Sequence, residues 1–329
     1  MSFGAHSRPE IDVIIPCFNG EEYIARAIDS ALAQTYPYIH VYVVDDGSSD
    51  GTHRTVQSFG HRCHYIRQEH AGVASARNAG IRTSHSPFLA FLDADDEWFP
   101  TKLERQIDIL LNDAQVGLVC CACDSQPPST PQPFPIAPFG AFLFERLLQD
   151  CFVFTPTVLA RRSLIEELGL FHEGLRVSED FNLWLRLASR SKIAALPEVL
   201  ARRYRRHDSL SLTTSWADAS KDGVAAFQDV ADRSPHLSPS DKTALHNALA
   251  TRRYDFGSLL LKAGDFPGAR TQFAAALVSQ PANIRARLKY FVTLLPRPLI
   301  RTLVSATTRL RPEPPIASGP RSVANNSSP

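Results

Sequence analysis

The sequence predicts an α/β protein built on a parallel, doubly wound sheet, followed by a wholly helical region. Three observations carry that expectation. Between residues 11 and 113, short apolar runs alternate with stretches of helical period. Two of those runs end in clustered acids. From about residue 215 to about 309, only the helical period remains.

The elements follow in order. "IDVIIPCFN" (11–19) is a short apolar run closed by Pro16 and Asn19, so a buried strand. "EEYIARAIDSALAQ" (21–34) spaces Ile24, Ala27, Ile28, Ala31 and Leu32 as one helical face, with acids in its first turn. "HVYVVDDGSSDGT" (40–52) is a strand that breaks into turn residues, and "GVASARNAGI" (72–81) reads as a helix. "PFLAFL" is a further strand, and "PTKLERQIDILLND" (100–113) a helix opened by proline. Strands separated by helices imply parallel pairing. Residues 124–140 carry enough proline to read as a long loop without regular structure.

At 329 residues, 44% of them hydrophobic, the chain suits one large domain and a smaller one, taking roughly 150 residues per domain. A net charge of +1 gives no global reason to expect a nucleic-acid partner. "MSFGAHSRPE" has no apolar core and does not read as a signal peptide. No window offers about 18 consecutive apolar residues, so no transmembrane helix is expected. The expectation is a cytoplasmic protein with reduced thiols. "CCAC" contains a C-x-x-C, yet no second pair accompanies it, and its continuity with "VGLV" marks a buried strand.

The densest chemistry lies in "FLDADDEW" (91–98), where Asp93, Asp95, Asp96 and Glu97 follow directly on an apolar strand. In a parallel sheet, ligands bind beyond the carboxyl ends of strands. An extended backbone places Asp93 and Asp95 on one face. Two such carboxylates suit a hard cation, Mg²⁺ or Mn²⁺, which implies a phosphate or diphosphate substrate. Acids capping the helix near Pro100 account for one or two of these residues, not four. An EF-hand starting at Asp46 fails, because its twelfth position is Gln57 and a strand precedes it.

"VIIPCFNGEEYIARAIDSALAQTYP", "VVDDGSSDGT", "GVASARNAGI", "FLDADDEWFPTKLERQ" and "SEDFNLWLRLA" stand in the order seen in family 2 glycosyltransferases, which the chain resembles over about residues 10–212. These are inverting enzymes of the GT-A fold, a Rossmann-like nucleotide-sugar domain. The resemblance implies a domain at 10–214, after an arm at 1–9 that reads as flexible; helical patterning marks 215–312 as a helical region, and the polar, proline-rich composition of 313–329 reads as a disordered tail.

What the resemblance implies for the site can be stated residue by residue. Pro16, Cys17, Phe18 and Asn19 pack against the nucleobase. Asp46 hydrogen-bonds the base edge, with Asp45 supporting the turn. Glu22 as a ribose contact and Glu22 as an ordinary helix-start acid both stay open. Arg77, with Asn78 beside it, faces the nucleotide, where a guanidinium supplies forked donors. Asp95 is the direct metal ligand, and Asp93 contacts the ribose or a metal-bound water. In "SEDFNLWLRLA", Phe181, Trp184 and Leu185 anchor a helix and leave Glu179 and Asp180 at its N-terminus. From the residues alone, cap and catalytic base are equal readings; the resemblance implies Asp180 as base and Glu179 as its orienting neighbour. In "ARRYRRHDSLS", His207 would be a third metal ligand, and Arg205 or Arg206 phosphate donors. The expected partners are a nucleotide diphosphate sugar and a glycan or lipid-linked acceptor.

The C-terminal third carries "LLLKAGDFPGARTQFAAALVSQPAN" (259–283), which looks like one tetratricopeptide-type helix pair. From Phe266 through Pro312 there is no Asp or Glu, while arginines and a lysine accumulate over 285–311. Such a segment either packs on its own domain or lies peripherally on an anionic membrane at its inner face. Two rival readings fit the sequence less well. A nucleotidyltransferase would carry a Gly-rich basic loop after its first strand, where this chain has "PCFNGEEY". An inert nucleotide-sugar-binding scaffold would not need Asp46, Asp95 and Asp180 together.

Overall fold

The computed structural model describes residues 8–126, 144–149, 152–204 and 215–309. Its centre is an eight-stranded mixed sheet in the order β3-β2-β1-β4-β7-β6-β8-β5. The strands are β1 (Ile11–Cys17), β2 (Ile39–Asp45), β3 (His64–Arg67), β4 (Phe88–Phe91), β5 (Glu97–Trp98), β6 (Val116–Gln126), β7 (Leu159–Arg161) and β8 (Lys192–Tyr204). The N-terminal half is the expected parallel winding: β1 pairs in parallel with β2 and β4, and β2 with β3. The second half is not. β7 runs antiparallel between β4 and β6, and β5 antiparallel to β8, while β6 and β8 are parallel.

Helices α1 (Ile24–Leu32), α2 (Thr52–Gln57), α3 (Val73–Thr83), α4 (Lys102–Asn112), α5 (Phe144–Gln149), α6 (Arg162–Glu167) and α7 (Glu179–Ala188) connect and cover these strands. Strand alternation sorts the core into two layers. Ile14, Val44, Leu89, Phe91, Leu118 and Cys120 face one way, against Trp184 of α7 and Ile81 of α3. Val13, Ile15, Val41, Val43, Ala90, Val119 and Cys121 face the other, against Ile28 of α1 and Ile107 of α4. Cys120 and Cys123 belong to opposite layers, so the C-x-x-C is sheet core, as its apolar context suggests. Burial pushes the Cys121 thiol up to about 11.

Beneath the sheet's opposite end, Arg162 donates to Asp12 at 2.8 Å, to Ser84 at 2.6 Å and to the carbonyl of Ile81 at 2.7 Å. Both charges are buried, and each finds partners for its remaining polar atoms. Residues 124–126, expected in a loop, complete β6 and pair with β8; the remainder of the proline-rich stretch, from residue 127, lies outside the described residues.

From residue 216 the described chain is helical. Trp216–Arg233 packs on α7, where Asn182 donates to the carbonyl of Ala226 at 3.0 Å. The stretch 259–283 begins at the end of a long helix, Pro239–Ala263. Gly264 turns the chain at φ 85°, a left-handed conformation that glycine adopts without penalty, and Phe266–Ser279 returns antiparallel. Ile284–Val292 and Arg297–Arg309 follow. Among the described residues, no helix is long and apolar enough to cross a membrane.

Candidate functional site

The chain winds outward from β1 to β2 and β3, then crosses back to β4 on the other side of β1. That reversal makes a crevice at the carboxyl ends of β1 and β4, the usual ligand position in such sheets. The loops after β1, β2 and β4 all open there.

The loop after β1 is tied to the loop after β2. Asn19 takes a left-handed conformation, φ 49°. Its amide donates to Ser48 Oγ at 2.9 Å, and its Oδ1 accepts the Ser49 amide at 2.9 Å. This geometry projects Phe18, 48% exposed, against the His70 ring at a centroid distance of 4.2 Å and a tilt of 31°. Pro16 lies within buried β1. Glu22 is exposed, whereas its neighbour Glu21 accepts the Gly51 amide at 2.9 Å. Sequence reasoning missed His70; it sits in an aperiodic segment whose only signal is its place at the end of a parallel strand.

Asp45 and Asp46 are both buried and hydrogen-bonded. Asp45 Oδ1 accepts the Ser48 amide at 2.8 Å, and its Oδ2 the Tyr65 hydroxyl at 2.5 Å. Hydrogen bonds from Ser48 and Tyr65 hold the Asp45 carboxyl below its ordinary range against the opposing effect of burial, which is the largest single influence. Asp46 Oδ1 accepts from Gln68 Nε2 at 2.7 Å and the Ala71 amide at 2.9 Å. Its Oδ2 accepts the Gly72 amide at 2.8 Å and lies 2.9 Å from His70 Nδ1. Asp46 therefore clamps the 68–72 loop that presents His70 and starts α3.

Arg77, on α3, is only 4% exposed. One guanidinium nitrogen donates to Glu179 Oε1 at 2.7 Å and another to Asp93 Oδ1 at 2.8 Å, while the group lies 5.3 Å from the Phe171 ring centroid. The sequence placed Arg77 toward a nucleotide's oxygens; within the protein its forked donors already join the acidic turn to α7. Asn78 turns away, exchanging hydrogen bonds with the backbone of Phe171.

The acidic segment is not an extended strand. β4 ends at Phe91, and the Asp96 amide donates to the Asp93 carbonyl at 3.0 Å, which closes a turn. Strand alternation therefore does not place Asp93 and Asp95 on one face; the turn sets their positions instead. Asp93 and Asp95 are half-buried and Asp96 is buried. Burial, and then the Asp93 and Asp95 carboxylates, hold the Asp96 carboxyl well above its ordinary range. Asp96 Oδ1 accepts the Tyr204 amide at 3.0 Å, and Arg26 Nη2 donates to the Asp95 carbonyl at 2.7 Å. The end of β8 is thus pinned to the acidic turn. Arg205, Arg206 and His207 come next in sequence and lie outside the described residues.

The donor chemistry of this turn fits a hard divalent cation. Arg77 engages Oδ1 of Asp93, whose side chain stays 31% exposed. Among the described residues, no three His, Cys, Asp or Glu side chains form a closed ligand cluster. Mg²⁺ and Mn²⁺ take one or two carboxylates and leave other positions to water and phosphate oxygens.

Opposite the turn, α7 begins after Ser178, itself left-handed at φ 70°. Asp180 Oδ2 accepts the Thr155 hydroxyl at 2.8 Å, and its Oδ1 the Phe181 amide at 2.6 Å. Glu179 is buried. Burial and the neighbouring Asp180 charge push its carboxyl up to about 7, despite Arg77. The structure thus brings Asp93, Arg77, Glu179 and Asp180 into one cleft and sets Phe18 and His70 on the neighbouring strand-end loops.

An open α/β sheet with acids gathered at its switch point is an architecture shared by many nucleotide-binding proteins. Comparison makes this specific. A family model described as Glycosyl transferase family 2 matches residues 12–169. The chain is 34% identical over 214 residues to the uncharacterized glycosyltransferase RT0329 of Rickettsia typhi, covering 63% of this chain and 67% of that protein. It is 34% identical over 199 residues to RP339 of Rickettsia prowazekii, whose length it spans to 63%. It is 32% identical over 188 residues to the UDP-Glc:alpha-D-GlcNAc-diphosphoundecaprenol beta-1,3-glucosyltransferase WfgD of Escherichia coli, covering 56% of this chain and 72% of that protein. The fold matches S. aureus TarS 1-349 in complex with UDP with a TM-score of 0.68 at 19% identity, over 92% of each chain. The chain belongs to glycosyltransferase family 2, and its fold is GT-A.

Proposed function

We propose that the protein transfers a sugar from a nucleoside diphosphate sugar to a hydroxyl acceptor, with inversion at the anomeric carbon and assistance from Mg²⁺ or Mn²⁺. The carrying observation is the Arg77 bridge, which links the acidic turn at Asp93 to Glu179 on α7. It draws two acidic motifs, distant in sequence, to the two sides of one cleft.

In this reading Phe18 and His70 offer ring faces to the nucleobase. Asp95 and Asp93 hold the cation, which would supply Lewis-acid stabilisation of the charge on the departing diphosphate. Arg77 fixes Asp93 in orientation and keeps positive charge beside the cleft. Asp180 takes the acceptor's hydroxyl proton as that oxygen attacks. Thr155 and the Phe181 amide orient its two oxygens for this, the geometric requirement of a general base. Arg206 as a phosphate donor and His207 as a third ligand to the cation complete the reading; both lie outside the described residues.

The names of similar proteins support the substrate class. WfgD is named for UDP-Glc and a diphosphoundecaprenol acceptor, TarS was crystallised with UDP-GlcNAc, and PcManGT of Pyrobaculum calidifontis with GDP-Man and Mn²⁺. The acceptor class proposed on that support is a glycan or lipid-linked acceptor of the cell envelope. Calorimetric titration of the full chain with UDP and with GDP, each with and without Mn²⁺, tests the reading. Tight binding of one nucleotide only with metal supports it; failure of every nucleoside diphosphate to bind would favour an inert scaffold.

A further inference from the structure

We infer that the helix Ile284–Val292 and the turn after it form a surface that docks onto an anionic lipid bilayer. Ile284, Leu288 and Phe291 are 68%, 62% and 57% exposed. Their spacing of four and three residues puts them on one face of this helix. The opposite face is already used: Ala286 and Thr293 are buried against the protein, and Lys289 donates to Ser258 at 2.6 Å. The apolar stripe is therefore the outward side of a helix whose inner side is packed. Leu294 and Leu295 in the following turn, and Leu299 and Leu303 beyond it, are also exposed.

The charges choose the partner. At about 100° per residue, Arg285 and Arg287 fall on either side of the Ile284–Leu288–Phe291 stripe, and both are exposed. An apolar centre flanked by arginines matches the boundary between acyl chains and headgroups, where long cationic side chains reach up to phosphates. Arg297 and Arg301 add exposed positive charge on the next helix. No acid occurs from Phe266 through Pro312, so two copies meeting through this face would set arginines against arginines. A negatively charged sheet of lipid meets no such repulsion. This surface is separate from the crevice, and the inference holds whatever reaction the crevice performs.

Vesicle co-sedimentation of the full chain tests it, using phosphatidylcholine alone and phosphatidylcholine with about one third phosphatidylglycerol. The expected result is binding to the anionic vesicles only, weakened at high salt. The double variant Leu288→Ser/Phe291→Ser, and separately Arg285→Ala/Arg287→Ala, should each lower that binding about tenfold or more. Nucleotide binding in the crevice, measured on the same preparations, should be unchanged. Equal partition of wild type onto neutral and anionic vesicles, or onto neither, overturns the inference without recourse to any variant. So does a wild-type dimer that becomes monomeric in Leu288→Ser/Phe291→Ser, since the face would then belong to a second copy.

Discussion

Arg77 and Glu179 stand 102 residues apart in sequence and 2.7 Å apart in space. The same guanidinium reaches Asp93 at 2.8 Å from a nearly dry position. Removing one partner from such a buried arrangement strands charge in the interior. Arg77→Ala should destabilise the fold by about 3–5 kcal/mol. Arg77→Lys should recover part of this, because a lysine keeps the charge but not the fork. Urea unfolding of the three proteins measures it; a loss under about 1 kcal/mol in the alanine variant would mean that the bridge does not hold the cleft together.

Glu179 gives the protein a pH signature. Its carboxyl is raised from 4.5 to about 7, first by burial and then by Asp180. The folded state therefore binds this proton more tightly than the unfolded state does. That contribution to stability is fully present below the unfolded value, near 4.5, and is lost as pH rises to about 7. Glu179→Gln has no such proton to lose. Melting temperatures across this window should fall with pH more steeply for wild type than for the glutamine variant, and run parallel above it.

Asp180→Asn should lower kcat by about 10²–10⁴-fold, the usual contribution of a positioned base. The asparagine still accepts from Thr155 or from the Phe181 amide, so the melting temperature should move little. Nucleotide affinity should also stay unchanged, because the residue faces the acceptor in the proposed reaction. Retained kcat would move the base elsewhere in the cleft.

Asp95→Ala should abolish the effect of Mn²⁺ on nucleotide binding, while leaving the weaker metal-independent affinity. Calorimetry with and without the ion reads this directly. A variant that still responds to Mn²⁺ would shift the cation away from Asp95, with Asp93 the remaining candidate in the turn.

Phe18→Ala should weaken nucleoside diphosphate binding by about 1–3 kcal/mol if a base stacks there. The change should not depend on whether Mn²⁺ is present, which separates a base contact from a phosphate contact.

Much of the N-terminal half was legible in the sequence, because its strands are fully buried and its helices amphipathic. The apolar run of β1 and the spacing of Ile24, Ala27 and Ile28 have few other solutions. The second half was harder to read. β5 has two residues and β7 three, too short to show any period. β8 is interrupted by Pro197, where its register against β6 shifts between Leu196 and Val199. Nothing in such segments signals that β7 enters antiparallel. At the site, the residue types were readable but their contacts were not. Arg77 looks like any helical arginine until Asp93 and Glu179 converge on it. The Asp93–Asp96 turn likewise follows from the end of β4 at Phe91, which the continuous apolar run through Leu92 conceals.

The clamp made by Asp46 leaves that position without a conservative replacement. Its two oxygens accept from three N–H donors, Gln68 and the Ala71 amide on Oδ1 and the Gly72 amide on Oδ2, which also lies 2.9 Å from His70 Nδ1. An asparagine of nearly the same shape must turn its own NH₂ toward one of those two sides, donor against donor. The loop would then be pushed off, taking with it both the ring beside Phe18 and the first turn of the helix that carries Arg77. A single-atom exchange there would blunt base recognition and unsettle the acidic cleft together, although the carboxylate itself need touch neither ligand.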